Sequence, residues 1–251
     1  MTETVTPSTR RGLSGTALKY IACATMLIDH IGASCLEAGI LRPALDSGAL
    51  SAGTLSSSPL YLLDAVLRFT GRLAFPIFCF LLVEGFVHTH DVKRYVRRLL
   101  LFGLVSEVPF DLAFFRLPFD PSQQNVYWTL ALGVLAMIGL RHFESPDGTT
   151  NWKGFLCAGG CVLLALAAHT DYNGIGVLII CALYLTRGDR KRQCITGVVL
   201  FAFELTAPLA FVLIWFYNGQ RGACGKAQKW AFYLFYPVHL TLLAAVTNLL
   251  L

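Results

Sequence analysis

Long apolar runs, separated by short polar or Gly- and Pro-containing stretches, make up most of this chain. Several runs hold about 18 or more mainly apolar residues, the length that about 30 Å of hydrocarbon requires at about 1.5 Å per residue. Within them Leu, Phe, Ala and Val follow one another without the polar-apolar alternation of a porin strand, so the runs predict helices. Spans are expected near 17–37, 60–84, 95–115, 125–142, 154–169, 174–186, 195–217 and 230–250. The pattern is that of an all-α, polytopic transmembrane helix bundle of about eight spans. The sixth run is short and follows HTDYNG at 169–174, so the fifth and sixth read either as two crossings or as a hairpin with one leg incompletely across. Residues 1–16 read as a polar cytoplasmic N-terminal tail and 17–251 as a single transmembrane helical domain; the first dozen residues show no apolar core with a cleavage site, so no removable signal peptide is expected.

Loop charges set an orientation. With the N-terminus inside, Arg10, Arg11, Lys19, the KRYVRR stretch at 93–98, Arg141, Lys153 and RGDRKR at 187–192 fall on the cytoplasmic side. Arg42, Arg116, Arg221, Lys226 and Lys229 fall opposite, so the excess of cations predicts both termini in the cytoplasm. The stretch NGQRGACGKAQK at 218–229 is the exception, being basic on the side that should be poor in cations. The loop at 41–59, rich in Ser, Gly and Ala, reads as a connector.

Composition agrees with a membrane protein: 55% of residues are hydrophobic and 14% charged, outside the range of an ordinary soluble domain. The net charge of +5 is loop Lys and Arg obeying membrane topology rather than a footprint for nucleic acid. The eight cysteines lie mostly within apolar runs and read as packing residues, not as a disulfide framework or a zinc site. His88, His90 and Asp91 form an HxHD cluster at an interface without further ligands, and no metal is expected.

Ionisable residues inside the runs carry the candidate chemistry. Asp29, His30, Arg72, Glu107, Glu204 and His239 all count to within a few residues of mid-depth, with Asp111 one turn outward of Glu107. A charge at the centre of a span costs about 2.5–3.5 kcal/mol, so these groups should face a protein interior or a polar chamber. Interior ion pairs that lock helices together are the structural alternative. Asp29 and His30, being adjacent, point about 100° apart around a helix and should not orient one another. If His30 is a general base, Glu107 and Asp111, four apart on one face, are the candidates to orient it, which leaves Asp29 to meet Arg72. Pro76 frees the carbonyl of Arg72 from its helical donor, so Arg72 reads either as an anion clamp at a polar opening or as part of an ordinary proline-bent helix. Glu84 is expected to pair near Arg97 or Arg98. In YNGQRG at 217–222 a donor-rich turn containing Asn218 and Arg221 suits a phosphate, carboxylate or carbonyl oxygen. His239, two residues after Pro237, faces either a cavity or the core.

Taken together, LKYIACATMLIDHIG at 18–32, GRLAFPIFCFLLVEGF at 71–86, RYVRRLLLFGLVSEVPFDLAF at 94–114, QNVYWTLALG at 124–133, YNGQRG and YLFYPVHL resemble the TraX family in order along most of the chain. Membership would imply a polytopic inner-membrane protein linked to conjugative plasmids, with acetylation of a pilin N-terminus as the founding activity. It would also imply acetyl-CoA as cosubstrate and likeness to other membrane acyltransferases. The mid-depth layer suits such chemistry: a base takes a proton from an amine or hydroxyl, a cation steadies the oxyanion and thiolate leaves. On this reading Asp29, His30, Arg72, Glu107, Asp111 and His239 are the catalytic candidates. Arg97, Arg98, Asn218 and Arg221 are the candidates for holding acetyl-CoA. The acceptor stays open among a pilin-like peptide, a lipid and a glycan. Two other classes remain: a proton-coupled transporter using Asp29, Glu107, Glu204 and His239 as a relay, and a non-catalytic conjugation or pilus-assembly membrane protein.

Overall fold

A computed structural model describes residues 12–146 and 148–249; most of the N-terminal tail, with Arg10 and Arg11, lies outside them. The described chain folds into helices joined by turns and loops, and the first element begins at a genuine cap: the Ser14 hydroxyl accepts from the Ala17 N–H ahead of α1 (Gly15–His30). From Ile31 to Leu41 the helix widens into π turns, with the Arg42 N–H reaching the Glu37 carbonyl five residues back. It then tightens again into α2 (Arg42–Asp46). A short α3 (Ala52–Leu55) leads to α4 (Pro59–Gly71) and α5 (Ala74–His88). The α4–α5 rod breaks at Arg72 and Leu73, where the imide of Pro76 cannot bond the Arg72 carbonyl.

Then come α6 (Val92–Phe114), α7 (Val126–His142), α8 (Trp152–Ala167) and α9 (Asn173–Leu185). Asp91, Asn125 and Asn151 each cap the helix that follows with a side-chain oxygen. The segment closes with α10 (Arg190–Leu200), a single 3₁₀ turn (Ala207–Leu209), α11 (Ala210–Trp215) and α12 (Lys226–Leu249).

Among the described residues three stretches are long and apolar enough to cross a membrane: Gly15–Asp46, Pro59–His88 and Lys226–Leu249. Helix α6, with 23 residues, is about 35 Å long, but Lys93, Arg94, Arg97 and Arg98 occupy its first two turns. Helices α7, α8 and α9, with 17, 16 and 13 residues, extend only about 20–25 Å.

Two expectations are corrected here. The run 195–217 is not one crossing helix. It turns at 201–206, and α11 folds back on α10, with the Phe211 ring against the bare Cα of Gly197. Pro208, in the 3₁₀ turn, lacks the donor a continuous helix would need. The two ends of this hairpin therefore lie together, and the Arg190 guanidinium stands 5.0 Å over the Tyr217 ring. Nor do the start of α1 and the end of α12, the described ends of the chain, lie together. Helices α1 and α12 run parallel: Gln228 Nε2 donates to the Tyr20 hydroxyl at 2.6 Å, His30 meets His239 at 2.7 Å, and Ser34 meets Thr247 at 2.8 Å. The start of α1 and the end of α12 are at opposite ends of the bundle. The loop 217–222 packs beside the start of α1, where the Gly15 and Thr16 N–H groups donate to the Gln220 and Arg221 carbonyls at 2.9 Å.

Candidate functional site

His30 ends α1 where the π turns begin, and its ring faces α12. The His239 Nδ1 lies 2.6 Å from the Phe235 carbonyl, which can only accept, so that nitrogen carries the proton. The His239 Nε2 is then an acceptor, and at 2.7 Å it takes the Nδ1–H of His30. This leaves the Nε2 of His30 as a lone pair, the form a general base requires. Phe114 and Tyr236 flank the His30 ring edge-on, with centroids at 5.2 and 5.9 Å.

Asp29 and His30 both line a cavity of about 270 Å³ together with Arg68, Arg72 and Tyr172. The cavity extends along the π turns that follow α1, past Glu37 and Arg42, and toward Phe114 and Phe115 at the end of α6. Asp29 Oδ2 accepts from Arg68 at 2.5 Å, while its buried Oδ1 has no partner. Asp29 Oδ2 sits 4.0 Å from His30 Nε2, too long for a hydrogen bond but close enough to steady a protonated ring. The approach of α1 to α4 depends on Gly71, because any Cβ there would overlap the Asp29 side chain.

The expected Asp29–Arg72 pair does not form. Arg72 follows the end of α4 and, turned by the break, donates to Glu204 at 3.1 Å. Arg68, one turn earlier on α4, takes Asp29 instead. Glu204 sits in the 201–206 turn, which is pinned to α4 by the Thr206 hydroxyl donating to the Phe69 carbonyl at 2.6 Å. Tyr172 adds its hydroxyl to the Arg72–Glu204 pair and stacks its ring on Phe75 with centroids 3.6 Å apart.

Glu107 and Asp111 do not reach His30; this too corrects the expectation. Glu107 accepts from Asn125 and from Trp128 Nε1, the latter at 2.8 Å, and Asp111 accepts from the Asp120 N–H at 3.0 Å. Both carboxylates fasten the 115–125 segment and the start of α7. In that segment the Ser122 hydroxyl and N–H hold the Asp120 carboxyl below the usual carboxylate range. The partner that orients His30 is His239, from the last helix.

A second cavity, of about 500 Å³, lies at the N-terminal end of α1 and gathers Lys19, Arg98, Arg221 and Lys229. Arg98 also stands 5.6 Å over the Tyr233 ring. Of the four residues expected to bind acetyl-CoA, Arg98 and Arg221 reach this cavity. Arg97 is exposed on α6. Asn218 builds the turn, its Oδ1 accepting from the Gln220 N–H at 2.9 Å and its own N–H donating to the Leu13 carbonyl at 2.9 Å. Glu84 lines this cavity with Arg98. The two cavities share four wall residues, Phe78, Tyr127, Leu130 and Phe232.

Sequence reasoning missed Arg68, Tyr172, Lys19 and Lys229. Arg68 had a signal, a second cation one turn before Arg72 in the same apolar run. Tyr172 had a weaker one in HTDYNG, where Tyr172 and Asn173 take left-handed φ of 60° and 45°.

The family model for the TraX protein matches residues 14–247 and so spans both cavities. The chain belongs to the TraX family. This TraX-family chain is also similar to a protein of Dichelobacter nodosus named probable fimbrial assembly protein FimC, serogroup H1. The two are 33% identical over 206 residues, covering 71% of this chain and 82% of the relative. No solved structure matches the chain. The apolar helices and the family together make it a membrane protein with a relative in fimbrial assembly.

Proposed function

We propose that this TraX-family protein is a multi-pass acetyltransferase of the cytoplasmic membrane. It would move acetyl from acetyl-CoA to an amine, of which a pilin N-terminus is the leading example, or to a hydroxyl. The observation that carries the reading is the His30–His239–Phe235 chain, which leaves a bare imidazole nitrogen in a cavity beside Asp29, Arg68 and Arg72. His30 Nε2 takes the acceptor's proton as its nitrogen or oxygen attacks the thioester carbon. The C–S bond breaks, and the thiolate leaves and is protonated. The Arg72 or Arg68 guanidinium steadies the oxyanion. The second cavity suits the phosphates of acetyl-CoA, for which Lys19, Arg98, Arg221 and Lys229 supply the charge.

Orientation follows the same reading. With Arg221, Lys226 and Lys229 at the N-terminal end of the bundle, Arg42 and Arg116 are the loop cations left at the other, so the N-terminus and the cationic cavity face the cytoplasm. The C-terminus then faces outward. A fimbrial-assembly relative supports a pilus-linked acceptor.

The test is calorimetric titration of detergent-purified protein with acetyl-CoA and with CoA, paired with transfer of radiolabelled acetyl to a short peptide bearing a free α-amine. His30→Ala should bind acetyl-CoA as the parent does and transfer nothing. Absence of any binding and any transfer sinks the acetyltransferase reading. A proton-coupled transporter is the second reading, favoured by the same buried histidine pair; it expects potential-dependent proton flux with no need for acetyl-CoA.

A further inference from the structure

Two cavities, lined toward opposite ends of the bundle, share four wall side chains. The larger is built from the N-terminal turns of α1, α6 and α12, the end of α5 and the 217–221 turn. The smaller reaches along the π turns that follow α1 and toward the opposite end of α6, past Glu37, Arg42, Phe114 and Phe115. Because α1, α6 and α12 run parallel, these are opposite faces: Arg98, near the start of α6, stands over the Tyr233 ring, and Asn248 Nδ2 donates to the Leu112 carbonyl at 3.0 Å near the far ends of both helices. Phe78, Tyr127, Leu130 and Phe232 belong to both linings and form the partition. Tyr127 is tied within it, its hydroxyl donating to the Tyr233 carbonyl at 3.1 Å. The cations of the larger cavity and the bare His30 nitrogen of the smaller one stand on its two sides.

A phosphate-rich donor and the acceptor's proton therefore have separate doors. The anionic donor is drawn to four cations at one face. On the other side Asp29 Oδ1 is buried and lacks a hydrogen-bond donor, which suits a substrate that brings N–H or O–H groups rather than a polyanion.

We infer that the acyl group crosses the membrane during transfer: the thioester reaches through the Phe78–Tyr127–Leu130–Phe232 partition from the cationic face, and the acceptor amine or hydroxyl enters by the opposite face to meet His30. The inference rests on the acetyltransferase reading and adds the side on which the acceptor is used. The chemistry is a single exchange. The acceptor N–C or O–C bond forms and the C–S bond breaks. The acceptor's proton goes to His30 Nε2 on the outward side, and the CoA thiolate is released on the cationic side, where it is protonated from solvent.

The experiment uses the whole protein in sealed vesicles sorted by orientation, with radiolabelled acetyl-CoA outside and an impermeant peptide with a free α-amine either in the lumen or outside. Where the N-terminal end faces outward, label should accumulate on the lumenal peptide and not on the external one, and Phe78→Trp should reduce that transfer at least tenfold at a thermal midpoint equal to the parent's. Label found only on the peptide sharing a side with acetyl-CoA overturns the inference and leaves the acetyltransferase reading standing. Transfer in detergent, where both faces are accessible, with none in either vesicle arrangement also overturns it. No transfer in detergent or vesicles removes the acetyltransferase reading and this inference with it.

Discussion

Replacing His239 tests the base directly, because His239 touches no reacting atom and acts only through His30. In the parent its Nε2 accepts the His30 Nδ1–H at 2.7 Å, and the Phe235 carbonyl at 2.6 Å fixes which nitrogen can accept. A hydrogen bond between neutral groups contributes about 0.5–1.5 kcal/mol, and one to a charged group about 1.5–3 kcal/mol. The bond thus grows stronger as His30 takes the acceptor's proton. His239→Leu removes that gain and frees the ring to adopt the tautomer whose Nε2 is blocked. Losing that difference, about 1–1.5 kcal/mol, from the transition state relative to the ground state slows transfer roughly 5- to 13-fold, at about 1.4 kcal/mol per factor of ten. His239→Gln keeps a carbonyl oxygen able to accept from His30 and should recover most of the loss. The assay is steady-state transfer of radiolabelled acetyl to a free-amine peptide in detergent, read as kcat and KM separately for the parent and both variants. The expected pattern is a fall in kcat with the KM for acetyl-CoA unchanged. A Leu variant as fast as the parent, or a Gln variant as slow as Leu at equal thermal stability, refutes the positioning role.

Gly71→Ala should lower the thermal midpoint in detergent, since the new methyl meets Asp29 and overpacking costs about 1–3 kcal/mol; an unchanged midpoint would mean that α1 and α4 separate freely. The pair Arg98→Ala and Arg221→Ala should weaken acetyl-CoA binding about tenfold or more, with the difference shrinking as salt rises, in calorimetric titration. Glu107→Leu leaves the Trp128 indole N–H without its acceptor and should cost about 1–3 kcal/mol of stability, measured by thermal unfolding, while folded protein keeps its acetyl-CoA affinity. Reporters fused to the two ends should be found on opposite faces of the membrane; both on one face would contradict the parallel run of α1 and α12.

Which residues matter at mid-depth was readable because hydrocarbon penalises every charge alike, whatever the tertiary structure. Asp29, His30, Arg72, Glu204 and His239 do converge on the middle of the bundle. Who pairs with whom was not readable, since that depends on helix rotation and on where helices break. Arg68 and Arg72 differ by one turn, yet the break after Gly71 sends one to Asp29 and the other to Glu204. The caps at Ser14, Asn125 and Asn151 are local and follow from residue type, whereas the contact of His30 with His239 joins positions 209 apart and has no local signature.

The misjudged segment is 195–217, and its error has one cause. An apolar count treats a helix that crosses and a hairpin that turns at mid-depth as equals, for both bury their side chains in the same medium. Two signals separated them: Glu204 in the middle, followed by Pro208, and a basic stretch at 218–229 on the side where cations should be few. Once the segment doubles back, the cations lie with Arg187, Arg190, Lys191 and Arg192, and Glu204 is carried inward on the turn to reach Arg72. The charge asymmetry and the buried ion pair are consequences of the same turn. A segment that crossed fully would carry Arg221, Lys226 and Lys229 away from Lys19 and Arg98, and the cationic cavity could not exist.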